Sequence, residues 1–259
     1  MLSLAIVNSE QLRTAITGDD NVFQLLSVTG LDPVRALLNM ANIYGVDGTK
    51  FVSSKLNNRN IVIMAQVNGN VETNRQLLYR RLPPKEPVRV EIATDSRSVT
   101  IDGYVEYIQC NIFERGVKAQ ISIICPDPYF RAAQTTSLAG NFTGTSGTIE
   151  YNSQGDAPAF FELHISAPGH TGFTLTAPSG DRLRVTTDAA GTFWIPDYSA
   201  NGKNVYLQNN GTTVSVLENL DPTSVFFLLS PGQRQLSLSV PGASAVSWAM
   251  TFFDCFEGV

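Results

Sequence analysis

The chain has few of the residues with which proteins build metal centres and disulfide frameworks. It contains two histidines and three cysteines in 259 residues. Cys110, Cys125 and Cys255 are too few and too scattered for a disulfide framework or a zinc knuckle. Cys110 and Cys125 lie on strands that we expect to pair. Two alternatives therefore remain for them: a disulfide bridge, or two buried free thiols. His164 and His170 have no further ligands at a workable spacing, so no metal site is predicted.

Long apolar runs are also absent. No stretch approaches the roughly 18 apolar residues that cross a bilayer, and the longest candidates, 225–229 and 249–253, have the length of strands. Residues 1–7 lack the basic segment and the length of a signal peptide. The sequence therefore predicts a protein made in the cytoplasm, with no membrane partner and no export by a standard pathway.

The motifs of common catalytic sites are missing as well. The chain contains no G-x-S-x-G, no H-E-x-x-H and no P-loop. The alternative that we weigh is a glycoside hydrolase, which needs a pair of carboxylates, but aspartates at turns normally cap their own backbone. The carboxylates available for such an enzyme are Glu150, Asp156, Glu162, Asp181, Asp188 and Asp197. We predict that the chain is not an enzyme, with no catalytic, cofactor-binding or metal-binding residues.

Positive charge is scarce in the second half of the chain. Residues 1–131 contain 14 Lys+Arg and 13 Asp+Glu, whereas residues 132–259 contain 4 and 10. Recognition of nucleic acid needs clustered lysine and arginine, so this balance argues against a nucleic-acid partner. One basic cluster occurs in the first half, and on a helix such a cluster is usually a solvated face. It consists of Arg75, Arg80, Arg81 and Lys85.

The middle of the chain, residues 99–131, predicts two long strands joined by a turn, and its end marks the predicted domain boundary. Apolar side chains alternate as far as Tyr107, and the phase then moves by one residue, which indicates a bulge near 107–109. Glu114-Arg115-Gly116 supplies the turn. Pro126-Asp127-Pro128 ends the second strand, because proline cannot donate to a strand ladder. Composition changes after this segment, so we predict two domains, 1–131 and 132–259.

The first domain is predicted to be an α+β structure, a barrel-like sheet with one helix packed on it. Residues 71–82 predict the helix, because Asn70 suits the N-cap, Glu72 suits the positive end of the dipole, and Pro83-Pro84 prevents continuation. Residues 32–41 fit a helical turn or a strand about equally well. The predicted strands of this domain are 4–7, 22–28, 44–46, 60–67 and 88–92.

The second domain is predicted to be an antiparallel β-sandwich of jelly-roll type, because short strands recur about every ten residues with turn residues between them. The first residues of this domain, 132–148, are small and polar, and they fit a linker or a loose first strand. Its aromatic residues fit either a sugar-stacking platform or a core, and we expect only Tyr198 to be exposed. They are Tyr151, Phe173, Trp194, Tyr198, Tyr206 and Trp248. The predicted strands are 160–165, 173–177, 183–187, 192–195, 205–208, 213–217, 225–229, 236–240 and 247–253.

Five segments form a pattern through their order and spacing. They are GVDGTKFVSSKLNNRNIVIMAQV at 45–67, IDGYVEYIQC at 101–110, CPDPYF at 125–130, YNSQGDAPAFFELHI at 151–165 and LSPGQRQLSLSVPGASAVSWAMTFFDCFEGV at 229–259. Together they resemble the distal tail proteins of long-tailed, non-contractile phages (siphophages). In that family the first segment precedes a helix, the C-x-D-P motif closes the N-terminal domain, and the last two segments begin and end the C-terminal domain. Residues 1–30 match the family poorly.

The resemblance implies a structural protein of the virion tail tip, without enzymatic activity or cofactors. Its first domain would form a homo-hexameric ring that joins the tail tube to the tail tip, and its second would be a galectin-like or carbohydrate-module-like sandwich. The implied partners are the tail tube protein, the tape-measure end, the tail-tip protein and receptor-binding proteins. Two other functions are weighed against this one: a carbohydrate-binding adhesion module that recognises host cell-wall saccharide, and a wall-degrading enzyme.

Overall fold

The structure, a computed structural model, describes residues 2–17, 22–111, 116–167 and 169–259, with only the backbone at 200 and 201. The chain forms two units, Met1–Ala133 together with Phe256–Val259, and Gln134–Cys255. It therefore leaves the first unit after Ala133 and returns to it at Phe256. The sequence prediction placed all of 132–259 in one domain, and the structure differs from it at this C-terminal return.

The first unit is a β-barrel. Its antiparallel strands follow the order β2-β1-β7-β8-β9-β6-β3. Thr17, which follows β2, forms a parallel bridge with Gln24 of β3 and so brings the two ends of the sheet together. The barrel-like sheet predicted from the sequence is thus confirmed. The strands are β1 Ser3–Asn8, β2 Arg13–Ile16, β3 Phe23–Thr29, β4 Ala36–Asn42, β5 Thr49–Leu56, β6 Arg59–Val67, β7 Pro87–Ala93, β8 Ser98–Cys110 and β9 Lys118–Cys125.

Period-two alternation fills the barrel with β-branched and other aliphatic side chains. Along β6 and β9, every second residue points inward, which is the pattern expected of strands with one buried face. Phe130, the first residue of the strand that follows Pro128, is also completely buried in this core. The fully buried aliphatic residues of these strands are Ile61, Ile63, Ala65, Ala119, Ile121 and Ile123.

The long hairpin formed by β8 and β9 contains the predicted bulge. The register shifts between Val105 and Tyr107, so Glu106 is the extra residue, slightly earlier than the predicted 107–109. The Ser122 hydroxyl, on the partner strand, donates to the Glu106 carboxylate at 2.7 Å. Gly103 on β8 leaves no room for a side chain, because a Cβ there would lie 2.8 Å from the Cys125 sulfur. The predicted turn residues Glu114 and Arg115 lie outside the described part of the chain.

Helix α1, Val71–Arg81, packs on the barrel and confirms the predicted helix. The Asn70 side chain accepts a hydrogen bond from the backbone N–H of Thr73, which is the expected N-cap interaction. Leu78 and Leu82 are completely buried. Arg80 is exposed in the last turn, where a cation is favoured by the helix dipole.

Truncating Leu78 tests this packing. We expect Leu78→Ala to lower the free energy of unfolding by about 2–5 kcal/mol, because the substitution leaves a cavity beneath the helix. Arg80→Ala, on the exposed face of the same helix, should cost less than about 0.5 kcal/mol. Thermal or urea unfolding of the two variants measures the difference. Equal stabilities would mean that Leu78 does not support the core.

Cys110 and Cys125 do not form the disulfide that the sequence left open. Cys110 is the register partner of Ala119 on β9, and Cys125 is six residues further along that strand. At about 3.3 Å per residue the two are roughly 20 Å apart along β9, far beyond the span of a disulfide. The free-thiol alternative is therefore the correct one for this pair, although Cys110 is only half-buried. Burial raises the pKa of the Cys125 thiol to about 12.

The second unit is a sandwich of two antiparallel sheets, as predicted. One has the order β17-β16-β15-β12-β19-β10 and the other β11-β18-β13-β14. The inward side chains of both sheets are buried, among them Phe173, Phe193, Leu238 and Met250. The strands are β10 Phe130–Thr143, β11 Ser146–Ser153, β12 Phe161–Ser166, β13 Gly172–Thr176, β14 Arg182–Thr186, β15 Thr192–Ile195, β16 Tyr206–Asn209, β17 Thr212–Ser215, β18 Gly232–Ser239 and β19 Ala245–Phe256.

Three local predictions in this unit require correction. Residues 132–148 are not a linker, because β10 and the start of β11 occupy them, so the loose-strand alternative was right. Residues 225–229 form no named strand, and only Leu229 makes an isolated bridge, to Ala159. A one-turn helix, α2 Tyr198–Asn201, occurs in a domain for which only strands and turns were predicted, and the Asp197 side chain caps it.

Candidate functional site

The most unusual surface of the first unit is the hairpin formed by β4 and β5. Among the described residues, the two strands pair only with each other and form a separate two-stranded sheet. Every residue of both strands is exposed. A two-stranded hairpin without a packed face is marginally stable in water. The hairpin therefore requires a covering surface that the described part of the single chain does not supply.

The register of the hairpin separates an apolar face from a polar one. Met40 pairs with Phe51, and Leu38 pairs with Ser54 two residues away on the same face. Leu38 is 61% exposed and Phe51 is 54% exposed. The side chains of this face are Ala36, Leu38, Met40, Phe51, Ser54 and Leu56, with the polar pair Asn42 and Thr49 at its end near the tip. The opposite face presents Leu37, Asn39, Ala41, Lys50, Ser53 and Lys55, with Val52 as the extra residue at a register shift.

The tip of the hairpin is also apolar. Ile43, Tyr44 and Val46 lie in the connection between the strands, and the Tyr44 side chain is as exposed as in an extended peptide. The prediction of a strand over 44–46 was wrong, because Gly45 has a φ of 76° and bends the chain into a turn. For residues 32–41 the strand alternative is right from Ala36 onward, and no helix forms there.

Arg59 holds the base of this hairpin. Its side chain is only 2% exposed, although arginine is rarely buried. One terminal nitrogen, Nη1, donates to the backbone carbonyls of Gly30 and Asp32, at 2.5 and 2.7 Å, in the segment that leads into β4. The same residues line a concavity of about 280 Å³ at the base of the hairpin.

Two further donors of Arg59 bind the segments at the two ends of the inserted second unit. Nε donates to the carbonyl of Pro128 at 2.8 Å, and Nη2 donates to the carbonyl of Glu257 at 2.6 Å. The guanidinium also lies 4.2 Å from the centre of the Phe130 ring, in a cation–π contact. Desolvation lowers the pKa of Arg59 from its ordinary value, and the Asp127 and Asp32 carboxylates oppose that shift.

The C-terminal residues return to the first unit through contacts of the same kind. The Val259 N–H donates to the Leu31 carbonyl at 3.1 Å, beside the two carbonyls that Arg59 binds. Arg97 donates to the Gly258 carbonyl at 3.0 Å and lies over the Phe256 ring. These interactions explain why the last four residues belong with the barrel and not with the sandwich.

Several of the titratable residues singled out in the sequence have local partners in the structure. His164 and Glu162 meet at 3.0 Å on the outward face of β12, while the His170 N–H donates to the Ala167 carbonyl in a turn. Asp197 caps α2, as expected of a turn aspartate. Within residues 2–17, 22–111, 116–167 and 169–259, no group of three or more His, Cys, Asp or Glu is placed to hold a metal ion. None of the helices in these ranges is long and apolar enough to span a membrane.

The aromatic residues of the second unit divide into two sets. Tyr151 and Phe173 are buried, as predicted for a core. Trp194 and Tyr206 instead lie half-buried on the outward face of β15 and β16. Tyr198, predicted to be exposed, is half-buried between Phe160 and Phe226, and this burial raises its pKa to about 12.

Comparison with solved structures identifies the fold. The chain is similar to the crystal structure of the SPP1 Dit protein (gp 19.1), described as a paradigm of the hub adsorption apparatus in Gram-positive infecting phages, with a TM-score of 0.70 and 17% identity over 98% of this chain and 99% of that one. It is also similar to chains of the phage P2 baseplate in its activated conformation with Ca (TM-score 0.48, 12% identity) and with Sr (TM-score 0.47, 11% identity). Both of those matches cover 97% of this chain and 98% of the other. No family model and no curated protein matches the chain.

Proposed function

We propose that the chain is the distal tail protein of a long-tailed, non-contractile phage, a structural hub protein whose copies form a homo-hexameric ring at the tail tip. The fold likeness to the SPP1 hub protein supports this proposal, because it extends over both units and almost all of the chain. The five-segment sequence pattern supports it independently. The single observation on which ring formation rests is the exposed apolar face of the β4–β5 hairpin.

Association between copies gives that hairpin the partner it lacks. In the described part of the chain, each of its two strands has one edge without a neighbouring strand, and such edges recruit other chains. The barrel is closed by the Thr17–Gln24 bridge, so its own edges are poor candidates for the contact. A head-to-tail contact between copies gives a closed ring when its repeated rotation completes a full circle, and an open filament when it does not. The copy number of six comes from the family resemblance.

The ring would join the tail tube and the tape-measure end to the tail-tip and receptor-binding proteins. In this proposal, the first unit forms the ring and the sandwich, Gln134–Cys255, is the peripheral domain. In this proposal the protein acts through assembly and has no catalytic step. It is made in the host cytoplasm and is incorporated into the virion tail tip.

The mass of the purified full chain tests the proposal. We expect native mass spectrometry and light scattering to give about six times the 28.1 kDa of one chain. Negative-stain images should show rings with sixfold symmetry. A monomer or a dimer at every concentration would contradict the ring. A ring of another copy number would contradict only the hexamer.

A further inference from the structure

The outward face of β12, β15 and β16 has features that a structural sandwich does not need. His164, Trp194 and Tyr206 are register partners on adjacent strands. The His164 and Trp194 rings are stacked at 5.8 Å between centroids, and the Trp194 and Tyr206 rings at 5.0 Å. The row ends at small residues, Ala249 on one side and Ser215 on the other. The outer faces of the terminal rings therefore have only small neighbours in the row.

A carboxylate fixes the orientation of this aromatic row. The Trp194 Nε1–H donates to Glu162 Oε1 at 2.8 Å, and His164 Nε2 lies 3.0 Å from the same oxygen. The His164 and Trp194 rings are thus held by Glu162, and Tyr206 stacks on Trp194. Binding to such a surface costs little side-chain entropy.

The next row on the same face borders a polar concavity. Ser166, Thr192 and Gln208 are register partners, two residues along their strands from the aromatic row. They line a concavity of about 400 Å³, to which Asn209 and Asn210 also contribute. This size lies within the roughly 300–1,000 Å³ of small-molecule sites. The described residues that line it provide hydroxyls, amides and small side chains, and none of them is charged.

A tight turn sets the positions of the two asparagine side chains. Asn210 and Gly211 have φ values of 47° and 77°, and Asn209 pairs with Thr212. This is the two-residue Asn-Gly hairpin turn that favours positive φ at both positions. Asn209 and Asn210 therefore stand on a rigid hairpin and not on a long loop. The turn thereby sets the backbone positions of both asparagines at the border of the concavity.

We propose that this face of the sandwich binds a neutral saccharide in the concavity formed by Ser166, Thr192, Gln208, Asn209 and Asn210, with Tyr206 two residues away from Gln208 on the same face of β16. Hydroxyl and amide groups both donate and accept hydrogen bonds, as do sugar hydroxyls. An aromatic side chain beside them offers an apolar surface to the C–H groups of a sugar ring. The absence of charge among the described lining residues disfavours phosphate, nucleic acid and acidic glycans. The site would give the proposed tail-tip protein a direct contact with host wall glycans, but it does not depend on ring formation.

Ligand-detected NMR on the full chain tests the site, with lactose, maltose, cellobiose and N,N′-diacetylchitobiose as probes and sialyllactose as an acidic comparison. We expect saturable binding of at least one neutral disaccharide. Gln208→Ala and Asn210→Gly should each weaken that binding about tenfold or more. Glycine adopts positive φ readily, so the Asn210 variant removes the amide without straining the turn. Gln235→Ala, an exposed glutamine on β18 of the opposite sheet, is the matched control and should bind as the parent does.

Three results would overturn the proposal: no saturable binding of any neutral disaccharide, binding of sialyllactose alone, or equal binding by the two site variants and the control. The row of rings would then serve only to stabilise the sheet through cross-strand pairing. The native mass of each variant is measured on the same samples. If the protein forms rings but binds no saccharide, the proposed tail function is unaffected. If it binds saccharide but forms no ring, the proposed saccharide site is unaffected.

Discussion

Replacing Arg59 by leucine is expected to destabilise the first unit by about 3–5 kcal/mol, because the substitution removes four hydrogen bonds that a buried guanidinium donates. Arg59 donates four hydrogen bonds to carbonyls of three separate segments. A leucine fills part of the volume but satisfies none of these acceptors. A hydrogen bond from a charged donor contributes about 1.5–3 kcal/mol, and water can replace part of that contribution at these partly exposed carbonyls. Against a typical total stability of about 5–15 kcal/mol, this loss would leave much of the protein unfolded at moderate temperature.

Arg89→Leu is the matched control for this experiment. Arg89 lies on β7 and pairs with Asp102 at 2.7 Å, but its side chain is 57% exposed. An exposed ion pair contributes at most about 1 kcal/mol, so the control should melt close to the parent. Arg59→Lys keeps the charge but loses the planar fork that reaches several carbonyls, and it should fall between the two. If the Arg59 and Arg89 variants were equally stable by urea unfolding, the buried guanidinium would not hold these segments together.

Hydrogen exchange separates a local effect from a global one. Arg59 binds carbonyls beside the hairpin base and at the C-terminal return, and the Val259 N–H bonds to the Leu31 carbonyl between them. In the Arg59→Leu variant, the amide of Val259 should therefore exchange earlier than the amides of the β6–β9 ladder. Simultaneous exchange of all these amides would instead indicate a fully cooperative first unit.

The position of Arg59 contains a signal that sequence reasoning did not use. Along β6 every second residue is buried, namely Arg59, Ile61, Ile63 and Ala65. The arginine therefore lies on the same face of the strand as the apolar residues. A charged residue in the buried phase of a strand predicts a buried partner. The hydrogen-bond partners of Arg59 could not be named from the sequence, because all of them are backbone carbonyls. Every residue has a backbone carbonyl, so the residue type does not show which one accepts a hydrogen bond. The distance in sequence from 59 to 257 adds to that difficulty.

The elements whose limits were predicted well have strong local determinants. Helix α1 has a cap residue before it, prolines after it and an apolar stripe, so each local signal agrees with the fold. The bulge in β8 was visible as a change of apolar phase. The two-domain layout followed from a change in charge and turn spacing.

The elements that were missed lack such determinants. Strand β10 consists mainly of small and polar residues, with only Phe130, Leu138 and Phe142 as large apolar ones, so its composition resembles a linker. Residues 225–229 have the composition of a buried strand, yet tertiary context leaves them without a strand partner over most of their length. Strand β5 contains polar and apolar residues in no clean alternation, because the register shift at Val52 breaks its period. Nothing in the sequence indicates that β4 and β5 stand apart from the barrel, since that depends on pairing between distant strands.

Placing glutamates on the apolar face of the hairpin is expected to reduce the proposed hexamer to single chains. Met40 and Phe51 are register partners at the centre of that face, and both are about half exposed. Burying such side chains fully against a neighbouring copy contributes about 1.5–3 kcal/mol each. The Met40→Glu/Phe51→Glu double variant removes that contribution and adds two charges that would have to be desolvated. Since about 1.4 kcal/mol is a factor of ten, each contact should weaken by at least about 100-fold.

The control lies on the opposite face of the same strands. Leu37 is 46% exposed and Met40 is 45% exposed, so Leu37→Glu introduces a similar change at a matched position. Its register partner is Lys55, so the added carboxylate faces a cation and should be tolerated.

Neither substitution should change the melting temperature of the isolated chain much, because no hairpin residue is part of the barrel core. Native mass should then fall to one chain for the double variant and stay unchanged for Leu37→Glu. An unchanged mass in the double variant would place the ring contacts outside the hairpin. Dissociation of both variants would instead indicate that strand-edge pairing, and not the apolar face, holds the copies together.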